Sequence, residues 1–547
     1  MVIKPKRRIA IYVYHNVLNK VSNYALYYLS SLKEITDEII VVLNGKFDEK
    51  EKEKLYNLNL AVLERENKGY DFFGYRKGIL SISNDKLSKC DELILCNSST
   101  FGPLFPFKNL FDEMQKKECD FWGITKHPSI KQNVIRFNFE TKIKEHIQSY
   151  FLVFRKSMFL DPRFKNYFEN LRKIKNKKEA IGFLEVNFTE YFKNLGFKYS
   201  VFAPDEVLEF GIDNYHQYLS NIMAEKYKVP LIKKTAFGER YDLNLKESYP
   251  NKTEELFNYI KNETKYDINL ITNEIASIYS TDEIKKFLHL NFVLSDKTRE
   301  KFQTQKSAFI FNYINDEYFE IIKTYLEGAF GLIDIYAIEK NNLYKKDKLK
   351  INLLDNNTSY FKQIKELSRK YNAICMFLPE EKDFFGLSKI QKIDYLKYLL
   401  NSLIKNRIYI NNIITTFEKN PYIGVLFPLI YLNKPSIQIK KNDILDFMKK
   451  MDINLKINPK YLNLLHNAFW IKTESIGKIN DVIDFEQDNN LNKGIIFSLL
   501  NQKYGFLEGN VSSIDEIKIY SDNLEYLLMN QNKFFSKIAS KINKIIK

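Results

Sequence analysis

The chain has 547 residues, a length typical of roughly two to four domains, and 45% of its residues are hydrophobic, enough to form packed cores. Its formal net charge of +16 indicates an anionic partner such as nucleic acid, acidic lipid or a phosphorylated substrate, although a Lys- and Asn-rich composition is also a genome-wide bias. The four cysteines (Cys90, Cys96, Cys119, Cys375) form no CxxC pair, which argues against a disulfide scaffold or structural zinc and suits a reducing cytoplasm.

The apolar runs of the sequence are short. The first segment, MVIKPKRRIAIYVYHN, is basic but has no small-residue cleavage site, so we expect a first strand rather than a signal peptide. No apolar run approaches the ~20 residues that a membrane span requires. The sequence therefore predicts a soluble or peripheral protein.

Strand and helix patterns alternate between residues 7 and 245. Runs of β-branched and aromatic residues predict strands at Arg8–Tyr14, Glu38–Leu43, Leu60–Leu63, Leu93–Cys96, Asp120–Thr125 and Tyr150–Phe154. Helical spacing predicts helices at Asn23–Leu32 and Leu184–Leu195, the second ended by Gly196. This alternation predicts an α/β domain, 1–245, with a mostly parallel, Rossmann-type sheet covered by helices.

A second unit is predicted after a polar, helical connector at 246–304. From Ala308–Ile314 onward, residues 305–530 repeat the order strand, helix, strand, Asn-containing loop, helix, strand. We interpret this as an internal duplication with a degenerate second copy, the alternative being two unrelated α/β segments with common patterning. Where the first unit has Asn67–Asp71, the second has Asn356–Tyr360 without glycine or carboxylate, so if one unit is catalytic it is the first.

The loop and helix at 63–79, LERENKGYDFFGYRKGI, carry the first group of candidate site residues. Gly69 lets the loop approach a phosphorylated ligand, and Asp71 can hold a ribose or sugar hydroxyl through strong acceptor bonds. Asp71 can equally be an acid that favours the helix dipole. With Arg65, Asn67 and Arg76 beside it, we predict a substrate-binding loop in which Asp71 is functional.

The residues Asn97-Ser98-Ser99 follow the buried strand Leu93–Cys96, where open α/β sheets hold their ligands. Metal-dependent sugar transferases usually carry two carboxylates at this strand end, which bind a divalent ion bridging the diphosphate. This chain has no acid there. Asn97 and Ser99 are therefore predicted to hydrogen-bond the donor, a nucleotide-linked sugar. We expect the activity to depend less on Mg²⁺ or Mn²⁺ than in those transferases, and we expect no organic cofactor. The alternative is an ordinary polar turn before Gly102-Pro103.

Four later residues complete the candidate site. Glu185, at the start of a helix, is predicted to be the general base that deprotonates the acceptor hydroxyl, the alternative being a solvated helix carboxylate. His146 and Gln148 precede a buried strand and can face the acceptor, although a lone histidine is more often structural. Trp122 can be a stacking platform for a sugar or base, or a core residue. No HExxH, P-loop or GxSxG motif is present.

The tail 531–547 contains KFFSKIASKINKIIK, with lysines and isoleucines recurring at helical spacing and no acidic residue. This pattern predicts a basic amphipathic helix on an anionic membrane surface. The alternative is a terminal helix docked on the protein itself.

In order along the chain, these motifs resemble the rhamnan synthesis protein F family of bacterial polysaccharide glycosyltransferases. The resemblance over residues 7–240 is carried by REN-x-GYDF at Arg65–Phe72, DELIL at Asp91–Leu95, N-x-S-x-x-GP at Asn97–Pro103, DFWGIT at Asp120–Thr125, QSYFLVF at Gln148–Phe154, E-x-x-x-T at Glu185–Thr189 and VPLIKK at Val229–Lys234. Weaker matches follow at Asn420–Pro428 and Ala468–Ser475. One departure is Ser98, where the family usually has Asp.

The resemblance implies a GT-A-like fold, and a transferase that adds rhamnose or a related deoxysugar from a nucleotide-sugar to a lipid-linked surface glycan such as capsule or O-antigen. It also implies a location in the cytoplasm, peripheral on the inner face of the membrane. The alternative function is a non-catalytic scaffold of a polysaccharide assembly complex with a decayed sugar site, which the departure at Ser98 favours. Nucleic-acid binding has only the charge in its favour, and no recognisable module.

Overall fold

The computed structural model describes residues 6–546 except 130–142, 211–218, 239–251, 299–305, 330, 339–349, 355–359, 431–438 and 478–490, and for 208–210, 360, 477 and 532–546 it describes the backbone alone. The chain divides into two compact units, Met1–Glu274 and Ile275–Lys547. This division falls inside the predicted connector 246–304. The boundaries predicted at 245 and 304, and the loop at 356–359, lie outside the described residues.

The first unit is built around one large sheet. Its strands are β1 (Arg8–Tyr14), β2 (Glu38–Asn44), β3 (Ala61–Arg65), β4 (Glu92–Asn97), β5 (Thr100–Phe101), β6 (Phe121–Gly123), β7 (Lys126–His127), β8 (His146–Ile147), β9 (Phe151–Arg155), β10 (Tyr199–Val201) and β11 (Ile232–Lys233). Seven of them form the sheet in the order β10-β6-β9-β4-β1-β2-β3, and β5 pairs with β11 and β7 with β8. Neighbours in the large sheet are parallel except β9, which is antiparallel to β4 and β6. The prediction of a mostly parallel α/β sheet is confirmed.

Helices connect these strands and cover the sheet. The α-helices of the first unit are Asn23–Lys33, Glu49–Tyr56, Tyr70–Ser81, Asn84–Lys89, Phe107–Gln115, Lys156–Phe159, Pro162–Glu169, Lys177–Glu179, Val186–Asn194, Ser220–Glu225 and Lys252–Glu263, and helix Asn269–Ile278 crosses the division between the units. A π-helical segment, Ala180–Glu185, runs directly into helix Val186–Asn194. Two 3₁₀ helices lie at Asp205–Phe210 and Lys234–Phe237.

The central strand β1 and helix Tyr70–Ser81 pack closely. Every residue of β1 is buried, because helices cover both faces of the sheet. A Cβ atom at Gly74 would lie 2.7 Å from the Val13 side chain, and one at Gly78 would lie 2.5 Å from that of Ile11. Glycines one helical turn apart therefore let this helix lie against β1, and the packing fixes the position of its first turn, which contains Asp71.

The second unit contains an eight-stranded sheet. Its strands are β12 (Asn291–Leu294), β13 (Ser307–Asn312), β14 (Ile333–Ile338), β15 (Ile351–Leu354), β16 (Ala373–Phe377), β17 (Ile423–Pro428), β18 (Ala468–Lys472) and β19 (Leu507–Ser513), in the order β12-β19-β17-β18-β16-β13-β14-β15. Only β18 is antiparallel to its neighbours, β16 and β17. Strands β13 to β19 thus repeat the order and directions of the seven strands of the first sheet, an arrangement expected of a duplicated unit.

The helices of the second unit precede, connect and follow these strands along the chain. They are Thr281–Leu288, Asp316–Ala329, Tyr360–Ser368, Lys389–Leu403, Arg407–Lys419, Lys441–Lys450, Pro459–Leu462, Thr473–Gly477, Lys493–Lys503 and Ile514–Ile546, with a 3₁₀ helix at Glu381–Phe384. The predicted connector differs from the structure at its end, because β12 pairs with β19 and belongs to the second sheet.

The last helix, Ile514–Ile546, has 33 residues and begins before the predicted boundary at 531. Large apolar side chains on its described part are exposed, namely Ile519, Leu524, Tyr526, Leu527, Leu528 and Met529. The side chains of the basic tail from Lys533 onward lie outside the described residues.

Candidate functional site

The candidate site lies at the carboxyl edge of the first sheet, between β1 and β4. The chain continues from β1 to β2 on one side, whereas β4 pairs with the other side of β1. Ligands of open α/β sheets bind in the crevice at such a switch point. The hydroxyl of Ser98 joins the two strand ends, since it accepts from the His15 N–H at 3.1 Å and donates to the His15 carbonyl at 3.3 Å.

Asp71 lies in the first turn of helix Tyr70–Ser81, beside the end of β4. The side-chain amide of Asn97 donates to Asp71 Oδ2 at 3.0 Å. Burial raises the pKa of Asp71 to about 6, because the charge of Lys233 offsets only part of the desolvation and the Glu185 carboxylate adds to the shift. The ionised form of Asp71 is therefore costly in the unliganded site. A hydrogen-bond donor or a cation close to the carboxylate would stabilise it.

Asn97 and Ser99 form one hydrogen-bonded group. Asn97 Oδ1 accepts from the Ser99 backbone N–H at 3.1 Å and from the Ser99 hydroxyl at 2.6 Å. These bonds fix the orientation of the amide, so that its N–H group faces Asp71. Asn97 thus positions Asp71, and Asn97 itself is buried.

Glu185 is the last residue of the π-helical segment, a geometry found often at functional sites. Its Oε1 accepts from the Ser149 N–H at 2.8 Å and from the Ser149 hydroxyl at 2.9 Å. Burial acts to raise the pKa of Glu185, but the charges of Lys233 and His146 and the bonds from Ser149 outweigh it, so the pKa lies below its ordinary value. Glu185 is held ionised, as a general base requires.

The antiparallel direction of β9 explains why His146, Gln148 and Ser149 reach this edge. Residues that precede an antiparallel strand lie at the same edge as residues that follow its parallel neighbours. The His146 ring stacks on that of His127 with centroids 5.3 Å apart, and burial lowers the pKa of His146 although Glu185 opposes the shift. Gln148 Oε1 accepts from the Thr125 hydroxyl at 2.6 Å, which fixes its amide.

Arg65 is the last residue of β3 and Asn67 follows it, on the side of β1 away from β4. The Arg65 guanidinium donates to Asn44 Oδ1 at 2.6 Å and also to the Lys68 carbonyl. The exposed Asn67 amide nitrogen lies 3.4 Å from both ring nitrogens of His15. These polar groups form one rim of the crevice.

The family model for rhamnan synthesis protein F matches residues 39–496. The chain belongs to the rhamnan synthesis protein F family. This match spans most of both units and confirms the resemblance found in the sequence.

Relatives of this rhamnan synthesis protein F family member include the uncharacterized protein y4gN of Sinorhizobium fredii, which is 29% identical over 174 residues, covering 31% of this chain and 42% of that protein. The virulence protein VirA of Vibrio anguillarum is 30% identical over 152 residues, covering 27% of this chain and 43% of that protein. The chain thus spans about two fifths of the length of these curated relatives.

Several solved structures are similar to this chain. The glycosyltransferase GlyE of Streptococcus pneumoniae is 11% identical with a TM-score of 0.27, over 72% of this chain and 88% of GlyE. The 4-diphosphocytidyl-2C-methyl-D-erythritol synthase of Anaerococcus prevotii is 14% identical with a TM-score of 0.26, over 36% of this chain and 89% of that enzyme. At these TM-scores the alignments carry no argument about ligand or reaction.

The structure decides between the two alternatives for Trp122 and shows a local reason for Gly69. Trp122 is only 1% exposed and packs edge-on against Phe111 with ring centroids 5.1 Å apart, so it is a core residue and not a stacking platform. At Gly69, which has a φ of +83°, a Cβ atom would meet the Phe73 ring at 2.4 Å. The left-handed backbone and the Phe73 ring therefore require a glycine here, and the approach of a ligand to this loop stays a prediction.

Arg76 lies further along helix Tyr70–Ser81. Its guanidinium carbon lies 6.0 Å from the centroid of the Phe73 ring. Among the described contacts, none joins Arg76 to Asp71, Asn97 or Glu185. The structure therefore gives Arg76 no described contact with the two carboxylates of the candidate site.

Two residues of the site, His15 and Lys233, are not among the candidate residues predicted from the sequence. Lys233 belongs to the two-residue strand β11, which is too short to show periodicity, and His15 follows β1 in a loop. His15 could have been predicted from its position directly after β1, since residues at the carboxyl ends of parallel strands lie at the edge that binds ligands. For Lys233 the motif VPLIKK was the only pointer, and it does not say which lysine faces the site.

The described donor set does not fit a divalent ion. Within the described residues, no group of three His, Cys, Asp or Glu side chains is arranged to hold a metal. Asn97 Oδ1 already accepts two hydrogen bonds from Ser99, and the Ser98 hydroxyl is engaged by His15. Among the described residues, Asp71 is then the one acid beside the end of β4, whereas Mg²⁺ favours several oxygen ligands in octahedral geometry.

Within the described residues, several buried polar side chains at the carboxyl edge of the second sheet bind to other groups of the protein. As Asn97 N–H donates to the Tyr150 carbonyl beside β4, so Leu378 N–H donates to the Asn467 carbonyl beside β16. The Asn467 amide donates to Asp383 Oδ2 at 3.0 Å, and both residues are buried. The preceding residue, His466, is also buried, with Nδ1 2.7 Å from the hydroxyl of Tyr395 and Nε2 3.1 Å from the Leu429 carbonyl.

Among the described residues, we find no helix whose length and hydropathy suit a membrane crossing.

Proposed function

We propose that the first unit is a GT-A-like glycosyltransferase that moves a sugar, rhamnose or a related deoxysugar, from a nucleotide-sugar to a growing bacterial surface polysaccharide. The proposal rests on the arrangement of two carboxyl groups at the carboxyl edge of the sheet. The Asn97 amide holds Asp71, whereas the N–H and hydroxyl of Ser149 hold Glu185, and these environments shift the pKa of Asp71 upward and that of Glu185 downward. Paired groups whose environments separate their pKa values are typical of divided roles in a reaction.

In this proposal the donor binds between β1 and β4. Asp71, oriented by Asn97, accepts hydrogen bonds from hydroxyl groups of the sugar donor. These hydroxyl groups stabilise the charge of the carboxylate in place of water. Asn97 and Ser99 would lie near the diphosphate or the sugar of the donor. Arg65 and Asn67 form the rim nearest β3, where the nucleotide would extend.

Glu185 would act on the acceptor. It takes the proton of the acceptor hydroxyl while that oxygen attacks the anomeric carbon, and the bond from that carbon to the diphosphate breaks on the opposite face. The electron pair leaves with the nucleotide diphosphate, so the configuration at the anomeric carbon is inverted. His146 and Gln148, beside Ser149, would border the acceptor.

The proposed acceptor is a lipid-linked glycan of capsule or O-antigen type, on the inner face of the cytoplasmic membrane. A lipid-linked acceptor does not leave the bilayer, so the enzyme must come to it. The five lysines and the isoleucines of the tail 533–547 suit an anionic membrane surface. We therefore propose a cytoplasmic protein that binds this surface peripherally.

A donor screen tests the proposal. The full chain is heated in the presence of a panel of nucleotide-sugars, and the cognate donor should raise the melting temperature, since a ligand at a hundredfold excess over its Kd adds ~2.7 kcal/mol of stability. Transfer from that donor to a short soluble acceptor should follow, with one inverted product. If no nucleotide-sugar stabilises the chain and none is consumed, the alternative of a non-catalytic scaffold is correct.

A further inference from the structure

The segment that carries Lys233 is fastened beside the turn that ends β4. Lys233 pairs with Thr100 in the β5–β11 ribbon, and the N–H of Lys234 donates to the Ser99 carbonyl at 2.9 Å. A Cβ atom at Gly102 would lie 2.4 Å from the Pro230 carbonyl oxygen, so the two segments are in close contact. The backbone of Lys233 is thus fixed at the carboxyl edge of the sheet.

The side chain of Lys233 lies between the groups that hold the two carboxylates. Its Nζ is 4.7 Å from the centroid of the Tyr150 ring, and the Tyr150 hydroxyl is 2.7 Å from Thr125 Oγ1. The carbonyl of Tyr150 accepts from the N–H of Asn97, which binds Asp71, and the residue before it, Ser149, binds Glu185. In agreement with this geometry, the charge of Lys233 acts on both carboxyl groups.

The neighbouring lysine serves a different purpose. Successive side chains of a strand point to opposite sides. Lys234 Nζ pairs with Glu274 and contacts Tyr24, whose ring centroid is 4.6 Å away. Tyr24 in turn donates to the Ser98 carbonyl at 3.0 Å. Lys234 therefore belongs to a buried support under the turn, whereas Lys233 faces the crevice.

We propose that Lys233 is the cation that binds the diphosphate of the donor, in place of the divalent ion that two carboxylates would hold at this strand end. The inference rests on the proposed function, because it assumes a diphosphate-bearing ligand. It accounts for a strand end with Asn97, Ser98 and Ser99, whose oxygens are already engaged, and one acid. An ammonium group beside that acid supplies a positive charge without further ligands.

The chemistry of the step needs such a charge. When the bond between the anomeric carbon and the diphosphate oxygen breaks, the electron pair stays on that oxygen and its negative charge grows. A fixed cation in a site of low dielectric stabilises this growing charge more than it stabilises the bound donor. The acceptor proton goes to Glu185, so the step requires no other reactant.

Inorganic pyrophosphate is a suitable probe, because it has the diphosphate without a sugar or base. The full chain, treated with EDTA, is titrated with pyrophosphate by calorimetry with and without added Mg²⁺. The variants are Lys233→Met, which keeps length and loses charge, Lys233→Arg, which keeps charge, and Lys77→Ala as the control. Lys77 is exposed on the helix that carries Asp71.

We expect the parent chain to bind pyrophosphate without Mg²⁺. Lys233→Met should weaken binding at least tenfold, Lys233→Arg should stay within about threefold of the parent, and Lys77→Ala should be unchanged. A second neutral variant, Lys233→Gln, gives the same comparison if the Met variant does not fold. Binding that requires Mg²⁺, or that is equal in the parent and both neutral variants, overturns the inference.

Two further outcomes separate this inference from the proposed function. If a nucleotide-sugar binds and is transferred, while Lys233→Met changes only the pH profile of transfer, Lys233 merely keeps Glu185 ionised. The proposed function then stands and the inference fails. If pyrophosphate binding depends on Lys233 but no nucleotide-sugar binds, the anion site stands and the glycosyltransferase proposal fails.

Discussion

Asn97 donates a hydrogen bond from its side-chain amide to Asp71 Oδ2 over 3.0 Å, and this bond joins the end of β4 to the first turn of helix Tyr70–Ser81. The amide cannot rotate away without losing the two bonds that its oxygen accepts from Ser99. The orientation of Asp71 is thus set before any donor arrives, which reduces the cost of ordering the site on binding.

Replacing Asp71 by alanine should nearly abolish sugar transfer while the protein stays folded. Loss of a charge-assisted bond to the donor should cost on the order of 1.5–3 kcal/mol of binding. Donor Kd and steady-state rates measure the effect, with Asp85→Ala as a control, because Asp85 is an exposed acid on the following helix. Transfer within twofold of the parent would remove Asp71 from the site.

The stability of the protein should depend on pH through Asp71. Its pKa is about 6 in the folded chain and 3.8 in the absence of structure, so between these values the folded state binds more protons. Stability from this group is present below pH ~4 and is lost as the pH rises through about 6.

The variant Asp71→Asn removes this titration. We measure the difference in melting temperature between the variant and the parent at each pH. This difference should increase from pH ~4 to pH ~7, by the equivalent of about 1–2 kcal/mol of unfolding free energy for a group partly open to solvent. The test is this increase with pH, and not the difference at any one pH. A constant difference across this range would mean that Asp71 has an ordinary pKa.

Glu185→Gln should lower the rate of transfer by a factor of ~10²–10⁴, the usual contribution of a general base, and leave the donor Kd unchanged. Glu190→Gln, on the helix that follows, is the matched control and should behave as the parent. A donor Kd that weakens as much as the rate falls would assign Glu185 to donor binding.

Ser149→Ala should shift the acid limb of the rate profile. The Ser149 hydroxyl is one of the groups that lower the pKa of Glu185, so its removal should move this limb toward higher pH. The backbone N–H of Ser149 remains, so some activity should persist at neutral pH. A rate profile identical to that of the parent would show that another group controls the limb.

Truncation before Lys533 should move the protein from the membrane fraction to the soluble fraction and spare transfer to a short soluble acceptor. Each lysine near an anionic surface contributes about 1 kcal/mol, and high salt should weaken binding of the intact chain. Sedimentation with anionic liposomes measures the difference. Equal sedimentation of the two forms would indicate a docked structural helix and a membrane contact elsewhere.

The sequence predicted the central strands of the sheet well, because β1, β2, β4 and β9 are almost entirely buried and form nearly unbroken apolar runs. The bounds of β1 agree at both ends, and β4 differs by one residue at each. The sequence could place Asp71, Asn97 and Glu185 at the edge of the sheet because each stands at a strand end or helix start, where chain order alone indicates the edge; their roles stay predictions. It could not decide whether Trp122 is a core residue or a stacking platform, because the direction of a single side chain depends on packing that no local pattern encodes.

Lys233 could not be found in this way. A short antiparallel ribbon brings it to the site, and the partner of that ribbon, Thr100, lies more than a hundred residues earlier in the chain. Pairings of this kind depend on the whole fold, since neither strand has enough residues to show alternation. Arg76 is the opposite case. It is close to Asp71 in the sequence, but no described contact joins it to Asp71 or Glu185.

The buried polar cluster of Asp383, Asn467 and His466 at the end of the second sheet has a consequence for its tolerance to substitution. Each of these side chains has a hydrogen-bond partner within the protein. Changing any one of them leaves a buried group without its partner, at about 1–3 kcal/mol. These positions should therefore tolerate substitution less well than the exposed surface of the same unit, and an acceptable change at one of them should require a compensating change in its partner.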